Sequence, residues 1–510
     1  MSRGGVRMRA PAGGGTPAPV APGDGGRSSR RLAVICAVLF LTFLDNTIIS
    51  ATLASIQTTL SPGVAGLQWV IDGFMLTFAV LMLTGGTLGD LFGRKRIMLG
   101  GVALFCVGSS VALLAPDTNV LIAGRVVMGI GAAASEPGTL SMIRHVYPDR
   151  GPRARALGAW AAVSGAALAF GPIIGGAIVG LSTWREVFAF NVAFGLAVLV
   201  FGAKVLPENA DPGGRRVDIW GLALGTCALA AATVAVIQGE SAGYGTWWID
   251  TLFGAAVVAT GCFVVVERRV HDPVLKVEFF KDRTFTGANV VAFTTNFGVF
   301  AVFFFTILYL QLIAGFSGYR IALDFLAMAV GILVAAGCTG WWVSRWGPRW
   351  PTAAGCLLAG GGLIAVEQVL SPTVTAAELA WTLAVVGLGF GMTLVTMTAA
   401  VLSRVPAERS GMAASTVNTS REIGGLFSVA ILGAIVNGQI SSRLASRLHH
   451  LGIPSNFESL VIKAVLHGGV SSTATGAAKA HPHLVHEVIA AAEHAFGSGL
   501  DIALLIAAAL

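Results

Sequence analysis

Apolar runs of about 20 residues, each long enough to cross a bilayer, recur along nearly the whole chain with only short polar breaks between them. Eight precede a polar break at 268–285, from Leu32–Leu53 to Trp247–Glu267, and five follow it, from Thr286–Leu312 to Gly411–Asn437. A shorter run, Ala495–Leu510, reads either as a short or tilted final helix or as a helix cut before its natural end. In lipid every backbone N–H and C=O needs a partner within its own segment or in a closed barrel, so runs of this length predict helices. With 55% apolar residues, 12% charged residues and a mean hydropathy of +0.77, the chain is expected to be an all-α polytopic membrane protein with 14 transmembrane helices. The six cysteines fall inside these runs without metal-ligand spacing and read as small packing residues.

A net charge of +7 would suggest nucleic acid in a soluble protein; in a polytopic chain the position of the charge matters more. If the amino terminus is inside, the inner segments hold 25 of the 33 Lys and Arg, whereas the short outer loops hold only Arg185 and Arg320. This asymmetry predicts a cytoplasmic amino terminus and excludes nucleic acid as a partner. Residues 1–31 read as a disordered cytoplasmic tail. The Ser29-Arg30-Arg31 start resembles a twin-arginine signal, but the following run is too long for one and carries Asp45. An outer loop at 438–494 holds seven of the nine histidines, of which His483 and His486 could share a helix face as metal ligands or simply be solvated.

Between the second and third runs lies Gly86 to Arg96 (GTLGDLFGRKR), where Asp90, Arg94, Lys95 and Arg96 must sit at a membrane face. Gly86, Gly89 and Gly93 allow a tight turn and close helix approach. A degraded copy, Gly340 to Arg349 (GWWVSRWGPR), carries Ser344 in the aspartate position and predicts two related halves. The expected organisation is a six-helix bundle at 32–206, two inserted helices and a linker at 207–285, and a second six-helix bundle at 286–510.

Ionisable residues inside a bilayer are costly unless paired or wetted, so each is a functional candidate. Asp45 lies about 20 Å into the first run from the cytoplasmic side, and Arg125 about 21 Å from that side in the fourth, at 1.5 Å per residue. Matching depth predicts an Asp45–Arg125 pair facing a central cavity, either as a proton-coupling site or as a structural ion pair. Asp72 in the second run and Asp324 in the tenth are further proton or substrate candidates. Arg421 and Glu422 in the thirteenth should point about 100° apart, so that at most one faces the cavity squarely. Arg421 then reads as a structural partner and Glu422 as a weaker proton candidate. Glu136, near the inner end of the fourth run, is expected to see cytoplasmic water or a basic loop. Gly171, Pro172, Gly175, Gly176 and Gly180 give the fifth run small residues for close packing and a kink, serving either sliding or packing alone. Trp69, Phe43, Phe74, Phe78 and Phe303 to Phe305 either line an apolar cavity or pack against core and lipid.

Taken in order, these motifs resemble the major facilitator superfamily, specifically its 14-span drug:proton antiporter branch of the EmrB/QacA type. Gly86 to Lys95 fits the superfamily's signature loop, and Leu44 to Ile49 (LDNTII) is similar to the branch's first-span motif. Leu121 to Gly131 (LIAGRVVMGIG), Gly171 to Gly176 (GPIIGG), the set Trp184, Arg185, Phe188 and Asn191, and Arg421 to Gly425 (REIGG) resemble further motifs of the branch. The resemblance covers about 31–437. The chain departs from it at Ala54, Ala193 and Ala327, where prolines are usual, and at Ser344.

The resemblance implies a monomeric multi-pass protein of the bacterial cytoplasmic membrane that exports small hydrophobic or cationic substrates in exchange for protons. The proton gradient is its energy source, no cofactor is needed, and the lipid bilayer is its surroundings. It also implies that Asp90 and Arg94 latch neighbouring helix ends in one access state, through ion-pair and charge–dipole contacts. The alternatives are a dedicated exporter of one metabolite (a self-made antibiotic, an amino acid or a siderophore) and a polytopic membrane enzyme.

Overall fold

The computed structural model describes residues 25–60, 64–208, 218–270, 273–314, 316, 318–406, 409–450 and 482–510. No strand occurs among them. The chain begins with α1 (Gly25–Ile48), which tightens into a 3-10 segment (Ile49–Thr52) and continues as α2 (Leu53–Leu60). Next come α3 (Val64–Phe92), α4 (Arg94–Leu113), α5 (Thr118–Val146), α6 (Arg150–Leu181) and α7 (Arg185–Val205), completing the first half. The pair α8 (Ile219–Ala242) and α9 (Trp247–Arg269) follows. The second half holds α10 (Arg283–Ala301), which passes through a π-helical segment (Val302–Thr306) into α11 (Ile307–Leu312), then α12 (Gly318–Trp346), α13 (Arg349–Val369) and α14 (Ala376–Arg404). It closes with α15 (Ser410–His450) and α16 (Pro482–Ala509).

Among the described residues thirteen helices are long and apolar enough to cross a membrane, and a shorter apolar stretch, His494–Ala509, lies within α16. Large apolar side chains such as Val107, Phe201, Val257, Val258, Val334 and Leu357 are exposed, as a lipid-facing surface requires. Cys36 and Cys106 are buried as expected, whereas Cys227, Cys262, Cys338 and Cys356 are exposed on that surface instead of packing inside.

The two halves repeat one packing device. A Cβ on Gly131 would lie 2.5 Å from the Gly101 carbonyl, and one on Gly124 would lie 2.9 Å from the Gly108 carbonyl, so α4 and α5 touch backbone to backbone. In the second half Gly355 and Gly389 do the same for α13 and α14, each Cβ position falling within about 3.0 Å of the other's carbonyl. Lipid offers apolar groups as good a home as a neighbouring helix does, so close van der Waals packing of small residues supplies the attraction.

The end of the bundle that carries the Gly86–Arg96 turn is called here the basic face. Around it the halves meet through α3 with α15 and α6 with α12. Gly340 of α12 approaches the Ala154 carbonyl of α6, and Gly165 of α6 faces Ile332. The α8–α9 pair packs against α3 and α15, with a hydroxyl contact of 3.2 Å between Thr84 and Thr226. In the connector, Asp282 caps α10 by accepting from the Thr284 and Phe285 amides at 2.7 and 3.1 Å, and these bonds hold its carboxyl below the usual carboxylate range.

Two expected boundaries need correction. Residues 25–31, assigned to the disordered tail, form the first turns of α1. A helix satisfies its own backbone beyond the lipid edge, and the Tyr147 hydroxyl donates to the Ser28 carbonyl at 3.0 Å to anchor it. Residues 1–24 lie outside the described residues. The expected outer loop at 438–494 is helical at both ends, because α15 runs on to His450 and α16 starts at Pro482. His467 and His481 lie outside the described residues, and so do the side chains of His483 and His486, where the metal reading would be decided.

Candidate functional site

Asp45 and Arg125 meet as the depth argument expects. Asp45 lies 20 residues from the start of α1 and Arg125 21 residues from the end of α5, so the match in depth also holds when counted from the helix ends. The Arg125 Nη1 donates to Asp45 Oδ2, and both side chains are essentially unexposed. Arg125 Nε donates to the Val70 carbonyl at 2.9 Å, and its guanidinium lies 4.5 Å from the Phe74 ring centroid. The other oxygen, Asp45 Oδ1, accepts from Asn191 Nδ2 of α7 at 2.7 Å. Four helices, α1, α3, α5 and α7, thus build and hold one ion pair, all inside the first half. Asn191 was legible only as part of a motif; its role as partner to Asp45 needed the fold.

Immediately beyond Asp45, α1 tightens into its 3-10 segment where α6 presses on it. A Cβ on Gly171 would land on the Thr47 side chain and 2.9 Å from the Ile48 amide, and one on Gly175 would lie 2.8 Å from the Ile48 carbonyl. Gly176 and Gly180 have open space instead, so only part of the small-residue set packs. Pro172 lies in α6, and its side chain lies outside the described ones. Gly171→Val is therefore expected to cost about 1–3 kcal/mol through overpacking and to impair transport, whereas Gly176→Val should stay within about 0.5 kcal/mol of the parent. Unfolding midpoints and transport rates of the two purified variants check this; equal behaviour would refute it.

A second charged cluster corrects two expectations. Glu136 does not face water or a basic loop: it is fully buried and accepts from Arg421 Nη2 at 2.9 Å and Asn418 Nδ2 at 3.0 Å, both from α15. Because α5 continues to Val146, Glu136 lies ten residues, about 15 Å, from the helix end and not near it. Arg421 and Glu422 do not diverge either. Arg421 Nη2 and Nε donate back to Glu422 Oε1 at 3.1 and 3.3 Å, because a flexible arginine can reach around its own helix. The guanidinium also lies 5.0 Å from the ring centroid of Phe43 in α1. Phe43 and Phe74 are thus platforms for the two buried arginines, a use of aromatics that side-chain type alone did not reveal. Phe303 packs tilted against Phe325 with ring centroids 5.1 Å apart and Phe305 is buried, while Phe304 is exposed.

Arg125 and Glu136 are eleven residues apart, placing them within about 20° of one face of α5 and about 16 Å apart along it. Phe43 and Asp45 are two positions apart, about 200° around the helix, so α1 presents the Asp45 side to Arg125 and the Phe43 side to Arg421. Asp72 is half-buried on α3, about 200° around that helix from Val70. Asp324 is buried on α12, one turn after Arg320, and its Oδ2 has no hydrogen-bond partner among the described residues. Neither is brought into the two clusters by the contacts described above.

The Gly86–Arg96 turn joins helix ends. Asp90 Oδ1 and Oδ2 accept from the Gly411 and Met412 amides, both at 3.0 Å, capping the amino-terminal end of α15. Arg94 Nε and Nη2 donate to the same Asp90 at 3.0 and 2.9 Å. Lys95 Nζ donates to the Ala203 carbonyl at 2.8 Å in the last turn of α7. An anion at a helix start and a cation at a helix end both match the helix dipole. Gly93, at φ 107°, turns the chain between α3 and α4, and Gly86 lets α15 approach, since its Cβ would meet the Gly411 carbonyl at 2.7 Å. In the degraded copy Gly347 keeps a positive φ of 79°, but Ser344 bonds to its own Trp341 carbonyl at 2.6 Å. The turn survives there and the capping aspartate does not.

Comparison with known proteins places these features in context. The family model described as Major Facilitator Superfamily matches residues 35–429. The methylenomycin A resistance protein of Bacillus subtilis (strain 168) is 34% identical over 411 residues, covering 80% of this chain and 87% of the relative. The multidrug resistance protein Stp of Mycobacterium tuberculosis is 31% identical over 473 residues, covering 92% and 88%. The tetracenomycin C resistance and export protein of Streptomyces glaucescens is 28% identical and covers 96% and 91%. Among solved structures, the human organic anion transporter MFSD10 superposes with a TM-score of 0.61 at 14% identity, covering 80% of this chain and 93% of that one. A bacterial homologue of human Spinster gives 0.57 at 19% identity, covering 96% of each chain. At such identities the two structures speak for the fold.

Proposed function

The chain belongs to the Major Facilitator Superfamily, and from that premise we propose that it is a monomeric proton-coupled antiporter that exports small hydrophobic, often cationic, drugs or antibiotics across a bacterial cytoplasmic membrane by alternating access. Its relatives are resistance and export proteins, which supports a transporter over an enzyme. The observation that carries the reading is the buried Asp45–Arg125 pair in the interior of a chain built to span lipid.

The excess of Lys and Arg on the basic face supports reading that face as cytoplasmic. The contacts of Asp90, Ser141 and Glu136 with α15 then hold the cytoplasmic side closed, in a state poised to exchange with the outside. Asp45 and Arg125 belong to the same half, so rocking of rigid halves would not separate them. The 3-10 segment after Asp45 supplies a local hinge through which α1 moves relative to α5. A proton on Asp45 cancels its charge and loosens Arg125, and a cationic substrate competes for the same carboxylate. Proton and substrate thereby take turns, and the proton gradient drives export with no cofactor.

The test is proton movement in proteoliposomes, read by a pH-sensitive dye while tetraphenylphosphonium is the transported cation. Each substrate turnover should move protons the opposite way, and Asp45→Asn should abolish that coupling. Wild-type flux indifferent to an imposed pH gradient would refute antiport. The single-antibiotic names of two relatives favour a second reading, a dedicated exporter. A substrate panel in which one compound class alone moves protons would select it.

A further inference from the structure

The Glu136 cluster differs from the Asp45 pair in one decisive respect: it is built across the interface. Glu136 stands on α5 of the first half, and Arg421, Glu422 and Asn418 stand on α15 of the second. Any rocking that opens the basic face pulls α15 from α5 and must break the bond between Glu136 and Arg421. Arg421 leaves with Glu422 still beside it, so the arginine stays neutralised and Glu136 is the group that loses its partner.

Charge counting adds a constraint. The closed cluster holds two carboxylates and one guanidinium, and the side-chain exposures of Glu136, Arg421 and Glu422 are 0%, 2% and 8%. One negative charge is left over in a site with almost no access to water, an arrangement that desolvation penalises strongly. Glu136 Oε1 accepts from both Asn418 Nδ2 and Arg421 Nη2, while the buried Oε2 has no hydrogen-bond partner among the described residues. That oxygen is where a single proton would neutralise the cluster. The charged groups acting on Glu136 are Arg421 and Glu422. Among the described residues the other packed elements present no further charge there: α6 presents Trp160 at Thr139, α4 presents Met98 at Gly138 and Gly101 beside Ser135, α3 presents Gly85 against Ala133, and α1 presents the Phe43 ring to Arg421.

We propose that Glu136, Arg421 and Glu422 form a second proton-binding site, spanning the two halves, which holds one proton while the basic face is closed and releases it when that face opens to water. This deepens the antiporter reading, and rests on it only for the direction in which the released proton travels. Closing the basic face without a load would bury the surplus charge, so the cluster disfavours idle closure. A proton, or a cationic substrate close enough to act on the same charge, removes that obstacle.

The sign of the pH effect follows. Open to water, both glutamates are ionised near neutral pH; closed, one proton is held between them. Closure therefore takes up a proton, and acid favours it by up to about tenfold in the closed-to-open ratio per pH unit. Spin labels attached through Arg96→Cys and Trp350→Cys, in a full-length background lacking the six native cysteines, report that ratio by pulsed dipolar distances in nanodiscs. Both positions are exposed on the basic face, one in each half.

The parent should show the acid-favoured closure without substrate or gradient. Glu136→Gln keeps an acceptor for Asn418 and leaves Arg421 balanced by Glu422, so its distance distribution should not respond to pH between about 5 and 8. Glu422→Gln makes the same change of charge from the other half and should flatten the response equally; it decides alone if Glu136→Gln fails to fold. Asp45→Asn should keep the slope. Parental slopes in both glutamine variants would overturn the proposal, as would loss of the slope in Asp45→Asn alone, which would assign the proton to Asp45. A flat parent with intact coupled transport would remove this site and leave antiport standing. A sloping parent without coupled transport would do the reverse.

Discussion

Arg125→Ala is expected to abolish transport and to lower the unfolding midpoint further than any other single change at the central sites. It leaves Asp45 unexposed with Asn191 as its remaining partner, and strips the Val70 carbonyl and the Phe74 face of the guanidinium between them. Removing one member of a buried ion pair costs about 3–5 kcal/mol, mostly from the charge left behind. A double-mutant cycle separates that penalty from function. Asp45→Asn in the Arg125→Ala background removes the stranded charge, so thermal stability in detergent should recover in part while coupled transport stays lost. Full transport by Arg125→Ala would mean that the pair neither binds nor couples anything.

Closure of the basic face should fail in Gly86→Val. The first added carbon would lie 2.5 Å from the Ser415 Cβ and 2.7 Å from the Gly411 carbonyl, and both belong to a helix that must come this close for Asp90 to reach its amides. The Ser141 and Ser410 hydroxyls meet across the same gap at 2.8 Å, so Ser141→Cys with Ser410→Cys makes a cross-link that forms when the face is closed. Oxidative cross-linking should be high in the parent background and nearly absent with Gly86→Val. Asp90→Asn, which keeps the shape but removes the charge at the start of α15, should fall between them, since a helix cap is worth about 0.5–2 kcal/mol. Undiminished cross-linking with valine at position 86 would show that this contact does not gate closure.

The charged residues differ in how far they could be read before folding, and the reasons are physical. Depth along a membrane helix is one-dimensional, so counting residues was enough to bring Asp45 and Arg125 to one level within one half. The same count misjudged Glu136 because it began at Met142, where the apolar run ends, while the helix continues to Val146. Counted from the true helix ends, Glu136 stands ten residues up α5 and Arg421 eleven residues up α15, and their match in depth becomes visible. Even then, equal depth could not say that α15 faces α5. The angular argument for Arg421 and Glu422 treated side chains as short spokes, which a guanidinium on a long flexible stem is not.

Hydropathy and charge placement, which are local properties of each segment, were sufficient for the all-helical membrane architecture and for the related turns at Gly86–Arg96 and Gly340–Arg349. Lipid leaves a backbone few ways to satisfy itself, and positive φ at Gly93 and Gly347 is a local need of the chain. Partner choice across the molecule is different in kind. Folding alone revealed that Asp90 caps α15, that Lys95 closes the end of α7, and that Glu136 takes its arginine from 285 residues away in the other half. Those contacts depend on which helix faces which, and that is decided where small residues let backbones touch, as between Gly86 and α15 and between Gly340 and α6.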